Sequence, residues 1–191
     1  MFLLDSEEIA FPDPVLYDFE GGLLAMGGDL SPERIWFAYQ NGIFPWFNPE
    51  DDILWWCPDP RFVLFPEDLK ISKSMKKILR EGKFTFTENK CFDEVMKNCQ
   101  AAERKGQDGT WITDGMIKAY STLHRFGKAK SIEVWENDEL VGGLYGVDLG
   151  HIFCGESMFA KVSNASKAGF IYFVEKYKNI YQLIDCQVYT E

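Results

Sequence analysis

The chain runs Ser-Ile-Glu-Val-Trp-Glu-Asn-Asp-Glu-Leu-Val-Gly-Gly-Leu-Tyr-Gly-Val from Ser131 to Val147, and this segment decides its fold. Apolar and polar residues alternate up to the turn pair Asn137-Asp138, and a second extended run follows. Alternation around a two-residue turn predicts an antiparallel hairpin. The apolar run from His151 to Phe159 predicts a third strand beside it.

A helix and a further strand follow the hairpin. The segment Ser163–Lys167 opens a helix with Phe170, Phe173, Val174 and Tyr177 at helical spacing, and Leu183–Val188 is a strand by its apolar content. Strand, helix and strand at this spacing predict a parallel neighbour reached by a right-handed crossover. Upstream, the pattern predicts strands at Arg61–Phe65 and Phe84–Thr87, and helices at Ser72–Arg80, 92–104 and Asp114–His124. The predicted class is α+β, with a mixed, largely antiparallel sheet flanked by helices.

The first 62 residues have a different composition, rich in proline, glycine and aromatic residues, with one predicted helix from Ser31 to near Gly42. We expect a small N-terminal domain at 1–62 and a second domain at 63–191. Within Gly42–Arg61 lie three of the six tryptophans and four of the eight prolines. Proline favours stiff, extended backbone, so this ledge either displays indoles for stacking on planar ligands or forms a packed corner.

Composition limits the possible environments of the chain. Of 191 residues, 46% are hydrophobic and 26% charged, and no apolar run approaches the ~18 residues of a membrane span. The start turns acidic after Leu4 and lacks a basic leader. We therefore expect a soluble, cytoplasmic protein with no membrane partner. Five cysteines without a C-x-x-C pair, and two histidines without matching spacing, favour reduced thiols and neither a metal site nor a cofactor.

The formal net charge of −10 argues against broad attraction to nucleic acid. Six basic residues nevertheless lie between Lys70 and Lys83, against the single acid Glu81. At helical spacing, five of them share one face: Lys70, Lys73, Lys76, Lys77 and Arg80. This stripe either contacts phosphates or is an ordinary solvated face.

Polar residues in apolar strands mark the candidate chemistry. Asp185 and Gln187 are two apart in a predicted strand, so their side chains should leave the same face. Glu156 lies in the apolar run Phe153–Phe159, where a carboxylate needs a partner, and we expect a cation. Gly155 is a plausible bulge, which would let Phe153 and Glu156 line one pocket. The segment Asn164–Lys167 offers helix N-terminal N–H groups to an anion, or is an ordinary cap.

Together these stretches resemble the bacterial leucyl/phenylalanyl-tRNA–protein transferases, from about Ile9 to Val188. The resemblance rests on Gly27–Pro32, Gly42–Phe47, Ile53–Trp56, Pro58–Arg61, Gly109–Thr113, Ser131–Trp135, Val141–Gly143, Phe153–Phe159, Asn164–Lys167 and Asp185–Gln187, in this order. It implies transfer of leucine or phenylalanine, and less readily methionine, from aminoacyl-tRNA to proteins with N-terminal arginine or lysine, which marks them for degradation by the N-end rule. It also implies a GNAT-like acyltransferase fold behind a small N-terminal domain, and no cofactor.

The resemblance also assigns residues. It implies that Trp46 and Trp111 hold the terminal adenosine, and that Lys73, Lys76, Lys77 and Arg80 meet tRNA phosphates. The implied aminoacyl pocket is Leu144, Phe153, Met158, Phe173 and Tyr177, where Leu144 and Tyr177 replace a familiar methionine and phenylalanine. In the implied mechanism Asp185 draws charge through Gln187, which contacts the attacking amine, and Glu156 holds the cationic acceptor residue.

Two other functions remain open from the sequence. One is a GNAT acetyltransferase using acetyl-CoA, although Ser163–Lys167 lacks the glycines typical of a pyrophosphate loop. The other is a noncatalytic binder of the aminoacyl-tRNA end. The family continues beyond the strand that carries Gln187, whereas this sequence stops at Glu191, so we expect a C-terminal truncation.

Overall fold

Two β-sheets and the helices packed on them make up the fold. The structure, a computed structural model, describes residues 1–17, 20–102 and 110–189. In this part of the chain the strands are β1 (Phe2–Leu4), β2 (Leu23–Gly27), β3 (Phe44–Pro45), β4 (Leu54–Trp56), β5 (Val63–Leu64), β6 (Thr85–Glu88), β7 (Ala129–Glu136), β8 (Glu139–Asp148), β9 (Ile152–Ala160) and β10 (Leu183–Asp185). The α-helices are α1 (Pro32–Gln40), α2 (Lys73–Arg80), α3 (Phe92–Ala101), α4 (Asp114–Arg125) and α5 (Ala165–Tyr177). Short 3₁₀ turns occur at Pro14–Leu16, Glu20–Gly22 and Pro66–Asp68.

The larger sheet has the order β5-β10-β9-β8-β7-β6 and contains the predicted hairpin as β7 and β8. Asn137 and Asp138 both have positive φ, 51° and 64°, as a two-residue hairpin turn of type I′ requires. Strands β9 and β10 pair in parallel across α5, and the other neighbours pair antiparallel. The predicted mixed, largely antiparallel sheet with flanking helices is confirmed.

Side-chain caps fix where several helices begin. Ser31 accepts from the N–H of Arg34, and Pro32 occupies the first position of α1, where its missing donor costs nothing. Ser72 and Thr113 cap α2 and α4 in the same way. These caps explain why the predicted helix starts agree with the observed ones within a residue.

The smaller sheet, with the order β1-β2-β4-β3, belongs to the N-terminal part of the chain. The central residue of its core is Trp55, which is fully buried and donates its indole N–H to the carbonyl of Gly27. One buried cluster joins this sheet and α1 to α3 and α4. The ledge tryptophan Trp55 is therefore a packing residue within the N-terminal part, which belongs to the same buried cluster as α3 and α4.

The boundary at residue 62 remains a prediction, since one continuous core crosses it. The predicted end of α3 near residue 104 and the loop before Trp111 fall partly within 103–109, outside the described residues. None of the described helices has the length and apolar character needed to cross a membrane.

Candidate active site

A cavity of about 590 Å³ opens where β9 and β10 separate. The parallel pairing of these strands ends at Asp185 opposite Cys154, whereas β9 continues to Ala160 along β8. The walls of the cavity are the part of β9 that no longer pairs with β10, the chain after β10, and the ledge around Trp46. The lining residues include Phe44, Pro45, Trp46, Trp111, Leu144, Phe153, Glu156, Met158, Phe170, Ile184, Cys186 and Gln187.

A β-bulge aims Glu156 into this cavity. Opposite β8 the register jumps from Tyr145–Ser157 to Gly146–Gly155, which leaves Glu156 as the extra residue. A side chain at Gly146 would meet the carbonyl oxygen of Cys154 at 2.2 Å, so only glycine permits this close approach. The predicted bulge is present, and it places Phe153 and Glu156 on the same cavity wall.

The Glu156 carboxyl has neutral partners. Its Oε1 accepts from Gln187 Nε2 at 2.7 Å, and its Oε2 accepts from the Tyr120 hydroxyl at 3.4 Å. Tyr120 in turn lies 2.7 Å from the buried Tyr39 hydroxyl. Among the described residues Glu156 forms no ion pair, so the expected cation is not its partner.

Burial raises the pKa of Glu156 from its ordinary value of 4.5 to about 8. The nearby charge of Asp185 acts in the same direction, while the Tyr39 and Tyr120 hydroxyls and the Arg61 charge oppose it. A carboxyl with this pKa is ionised in about a tenth of molecules at pH 7. Glu156 is therefore a mostly neutral acid in the unliganded protein, close to the point where it changes charge.

Gln187 lies in a turn after β10 and not in the strand where the sequence placed it. Strand β10 ends at Asp185, and Gln187 has a left-handed backbone with φ of 63°. The prediction that both side chains leave one face of a regular strand is therefore wrong. The turn is held because the Gln187 N–H donates to Asp185 Oδ1 at 2.8 Å, and Phe62 exchanges backbone hydrogen bonds with Gln187 and Cys186. The amide side chain then meets Glu156.

Asp185 lies behind the cavity and is paired with Arg61. Arg61 Nε and Nη2 donate to the Asp185 carboxylate at 2.7 to 3.0 Å, and Nη1 donates to the carbonyl of Gly42 at 3.0 Å. Hydrogen bonds to Asp185 raise the pKa of Arg61 despite its burial. The guanidinium also lies over the Phe44 ring, 4.8 Å from its centroid. Arg61 thus ties the ledge to Asp185 and neutralises its charge.

The indoles of Trp46 and Trp111 line the cavity. Trp46 is 39% exposed, and Trp56 supports it by donating its indole N–H to the Trp46 carbonyl at 2.6 Å. The two rings lie 5.6 Å apart in a tilted arrangement. Trp111 lines the same cavity from the start of the segment that leads into α4. Trp56 thus supports Trp46, and Trp46 is the ledge indole that lines the cavity.

The apolar end of the cavity includes three of the five residues assigned to the aminoacyl pocket, Leu144, Phe153 and Met158. Phe173 is fully buried and packs behind Phe153, with ring centroids 4.3 Å apart. Tyr177 packs on Phe173 and donates its hydroxyl to Glu88 at 2.6 Å. These two residues support the pocket wall from behind instead of forming its surface. Phe170 and Ile184, which the sequence did not assign to the pocket, also line the cavity.

The basic stripe lies on the exposed face of α2. Lys73, Lys76, Lys77 and Arg80 are exposed, and Met75 on the opposite face is buried. Lys77 forms a surface ion pair with Glu81 at 3.7 Å. At the start of α5, Asn164 has a left-handed backbone and makes no side-chain cap. No group of three metal-ligating side chains occurs among the residues that the structure describes.

Comparison with known proteins adds to this geometry. The family model of leucyl/phenylalanyl-tRNA protein transferase matches residues 63–191, and the model of its N-terminal domain matches residues 28–59. The chain belongs to this family. A leucyl/phenylalanyl-tRNA–protein transferase from Flavobacterium johnsoniae is 59% identical over 185 residues, which are 96% of this chain and 87% of that protein. Another, from Escherichia coli O81, is 52% identical over 195 residues, covering 98% of this chain and 80% of that protein.

The resemblance stated from the motifs is thereby confirmed, whereas the GNAT-like architecture stays a prediction. Sequence reasoning missed Arg61, Tyr39 and Tyr120. Arg61 stood in a quoted motif without a role, and the need of a buried carboxylate for a cation could have identified it. Tyr39 and Tyr120 are 81 positions apart, and nothing in their local patterns indicates that their hydroxyls meet.

Proposed function

We propose that this transferase moves leucine or phenylalanine, and methionine more slowly, from aminoacyl-tRNA to the α-amino group of proteins that begin with arginine or lysine. The observation that carries the proposal is the composition of the cavity between β9 and β10. It combines two indoles, an apolar end, and a polar end formed by Glu156 and Gln187. An aminoacyl-adenosine has the same three parts, namely a purine, an apolar side chain and an ester beside which an amine must bind.

Trp46 and Trp111 are our candidates for holding the terminal adenosine. Stacking on an aromatic side chain contributes roughly 1 to 3 kcal/mol per base, whatever the base. The apolar end, with Leu144, Phe153 and Met158 on its surface and Phe173 and Tyr177 behind, would take the side chain of the aminoacyl group. Since the described residues that line that end are apolar, it favours leucine, phenylalanine and methionine over polar amino acids.

The chemistry is aminolysis of an ester, which is already an activated acyl donor. An α-amino group of pKa about 7.7 to 8.0 is neutral in about a tenth of molecules at pH 7, so positioning is the larger requirement. Gln187 is suited to orient the amine, because its amide also anchors to Glu156 at 2.7 Å. Asp185 holds the Gln187 turn through the backbone N–H, and we assign it a positioning role.

The basic stripe of α2 would meet phosphates of the acceptor stem. Its members on α2, Lys73, Lys76, Lys77 and Arg80, are exposed, and a chain of net charge −10 needs such a local patch to approach RNA. Transfer of leucine or phenylalanine to arginine- or lysine-initiated proteins would mark them for N-end rule degradation. The reaction as proposed requires neither a metal nor a cofactor.

The test mixes the protein with radiolabelled leucyl-tRNA and a peptide that begins with arginine, with acetyl-CoA present as a competing donor. We expect labelled peptide and no acetylated peptide. Asp185→Ala and Glu156→Ala should each reduce transfer more than tenfold with the fold intact by circular dichroism. A matched control is Glu175→Ala on α5, whose carboxylate makes only an exposed ion pair with Lys178. Binding of charged tRNA without any labelled peptide would instead indicate a noncatalytic binder.

A further inference from the structure

The two carboxylates of the site have different surroundings. Asp185 is 7% exposed, and its two oxygens accept three hydrogen bonds from Arg61 and one from the Gln187 N–H. An ionised carboxylate has about four acceptor positions, so these bonds occupy its capacity. Asp185 accepts from the backbone N–H of Gln187, whereas the side-chain amide of Gln187 donates to Glu156. Asp185 is therefore poorly placed to take a proton from an amine beside Gln187.

Glu156 differs on each of these points. It lines the cavity, directly contacts the Gln187 amide, and has neutral hydrogen-bond partners. Gln187 donates to Oε1 and Tyr120 to Oε2, and the Tyr39 hydroxyl also bonds to the Glu156 carboxylate, so these three donors leave one of its about four acceptor positions open. A group that is to gain a proton during the reaction needs this combination of access, spare acceptor capacity and no fixed cation.

We propose that Glu156 is the proton acceptor for the attacking α-amine, with Tyr120 and Tyr39 as positioning residues that hold its carboxylate. This inference rests on the proposed function and refines it, because the resemblance gives Glu156 only the task of holding a cationic acceptor side chain. The Tyr120 hydroxyl donates to Oε2, and the Tyr39 hydroxyl, 2.7 Å away, supports Tyr120. Both tyrosines are buried, which keeps the pair in place.

The step balances without a further reactant. One N–H bond of the α-ammonium breaks and its proton passes to Glu156, while the nitrogen lone pair forms a bond to the ester carbonyl carbon. The bond from that carbon to the ribose oxygen breaks, and the second amine proton goes to this oxygen. The products are an amide, a ribose hydroxyl and a neutral Glu156, which then releases its proton to solvent.

The groups that face Glu156 favour such an exchange. Burial and the charge of Asp185 raise its pKa to about 8, and Arg61, Tyr39 and Tyr120 act in the opposite direction. Cys154, on the same strand, is buried and its own pKa is raised, so it stays a neutral thiol. A proton acceptor whose pKa lies close to that of an α-amine, about 7.7 to 8.0, exchanges protons with it at little cost.

The experiment compares wild type with Glu156→Gln, using leucyl-tRNA and two peptides that differ only in an N-terminal arginine or citrulline. Citrulline is a neutral isostere of arginine with the same α-amine. If Glu156 takes the α-amine proton, the substitution should lower kcat about a hundredfold or more with both peptides. If Glu156 only holds the guanidinium, the substitution should raise KM for the arginine peptide and change little with citrulline. That second outcome would overturn the proposal.

Tyr120→Phe supplies an independent readout. Removing a hydrogen bond that stabilises the carboxylate should move the rising limb of the kcat profile to higher pH. Tyr39→Phe should move it in the same direction, because the Tyr39 hydroxyl lowers the pKa of Glu156 and also bonds to Tyr120. An unchanged midpoint in both variants would exclude the positioning role. Absence of transfer by wild type with the arginine peptide would refute the proposed function itself, which separates the two failures.

Discussion

Arg61→Met is the substitution that most directly tests how the site is assembled. The change removes a guanidinium that makes three hydrogen bonds to the Asp185 carboxylate and one to the Gly42 carbonyl, while it keeps an apolar stem over Phe44. The Asp185 carboxylate would then remain in place with only the Gln187 N–H as a partner. Such a group is destabilising because a buried charge without its counter-charge loses hydration and gains nothing in return.

The size of the effect follows from the burial of the pair. The side chains of Arg61 and Asp185 are 20% and 9% exposed. Breaking a buried pair by removing one partner costs about 3 to 5 kcal/mol, and the residual exposure of Arg61 places the expected loss near the lower end, about 3 kcal/mol. For a domain of this size, that loss lowers the melting temperature by about 6 to 12 °C. With an m-value of about 2 kcal/mol/M, it lowers the urea midpoint by about 1.5 M.

The assay is urea unfolding followed by tryptophan fluorescence and by circular dichroism, with two matched variants. Arg61→Lys keeps the charge but loses the planar guanidinium group, so the free energy of unfolding should fall by only about 1 kcal/mol. The double variant Arg61→Met with Asp185→Asn removes the unpaired charge, and it should regain more than half of the stability lost by Arg61→Met alone. A loss below about 1 kcal/mol for Arg61→Met would refute the anchoring role. A double variant no more stable than the single one would show that the unpaired charge is not the cause.

Three further outcomes follow from the site. The pKa of Glu156 is higher in the folded than in the unfolded protein, so ionisation of its buried carboxyl lowers the free energy of unfolding. This loss of stability is absent below pH 4.5, grows by about 1.4 kcal/mol per pH unit, and levels off above pH 8. Glu156→Gln should therefore be more stable than wild type at pH 8 and equal to it at pH 4, measured by urea unfolding; equal stability at both would contradict the raised pKa. Trp46→Ala should weaken binding of leucyl-tRNA by about 5- to 150-fold in a filter-binding assay, and Trp56→Phe, which keeps a ring but loses the bond to the Trp46 carbonyl, should weaken it less. Changing all four basic residues of the α2 stripe to glutamine should reduce the slope of log affinity against log salt by about 3; an unchanged slope would mean that the stripe is only a solvated face.

The sequence predicted those parts of the fold that depend on local pattern. The hairpin, α1, α2 and α5 each combine a regular period with a turn pair or a cap, such as Asn137-Asp138 or Ser31-Pro32, and both kinds of signal act within a few residues. The bulge at Glu156 was predictable for the same reason, because Gly155 interrupts an otherwise apolar strand. The family resemblance depended on the order of many short motifs, which is also a property of the chain alone.

Contacts between distant segments could not be predicted in this way. The regular strand expected through Gln187 ends two residues early because Asp185, turned toward Arg61 at a separation of 124 residues, caps the turn with its own carboxylate. The same limit explains why Phe173 and Tyr177 were assigned to the pocket surface. Helical spacing correctly placed both on the inner face of α5. It could not distinguish the cavity surface, which Phe170 forms, from the layer behind it.

Arg61 is one of the links between the ledge and the end of β10. Trp46 follows β3 in the smaller sheet, and Gln187 follows β10 in the larger one. Arg61 lies between the two ranges that the family models match, 28–59 and 63–191, and bonds to both sides of the cavity. Because the Arg61 side chain bonds both to the ledge and to the carboxylate that holds the Gln187 turn, a change at Arg61 should impair the proposed adenosine binding and amine positioning together. A substitution on the cavity surface, in contrast, should affect one of the two.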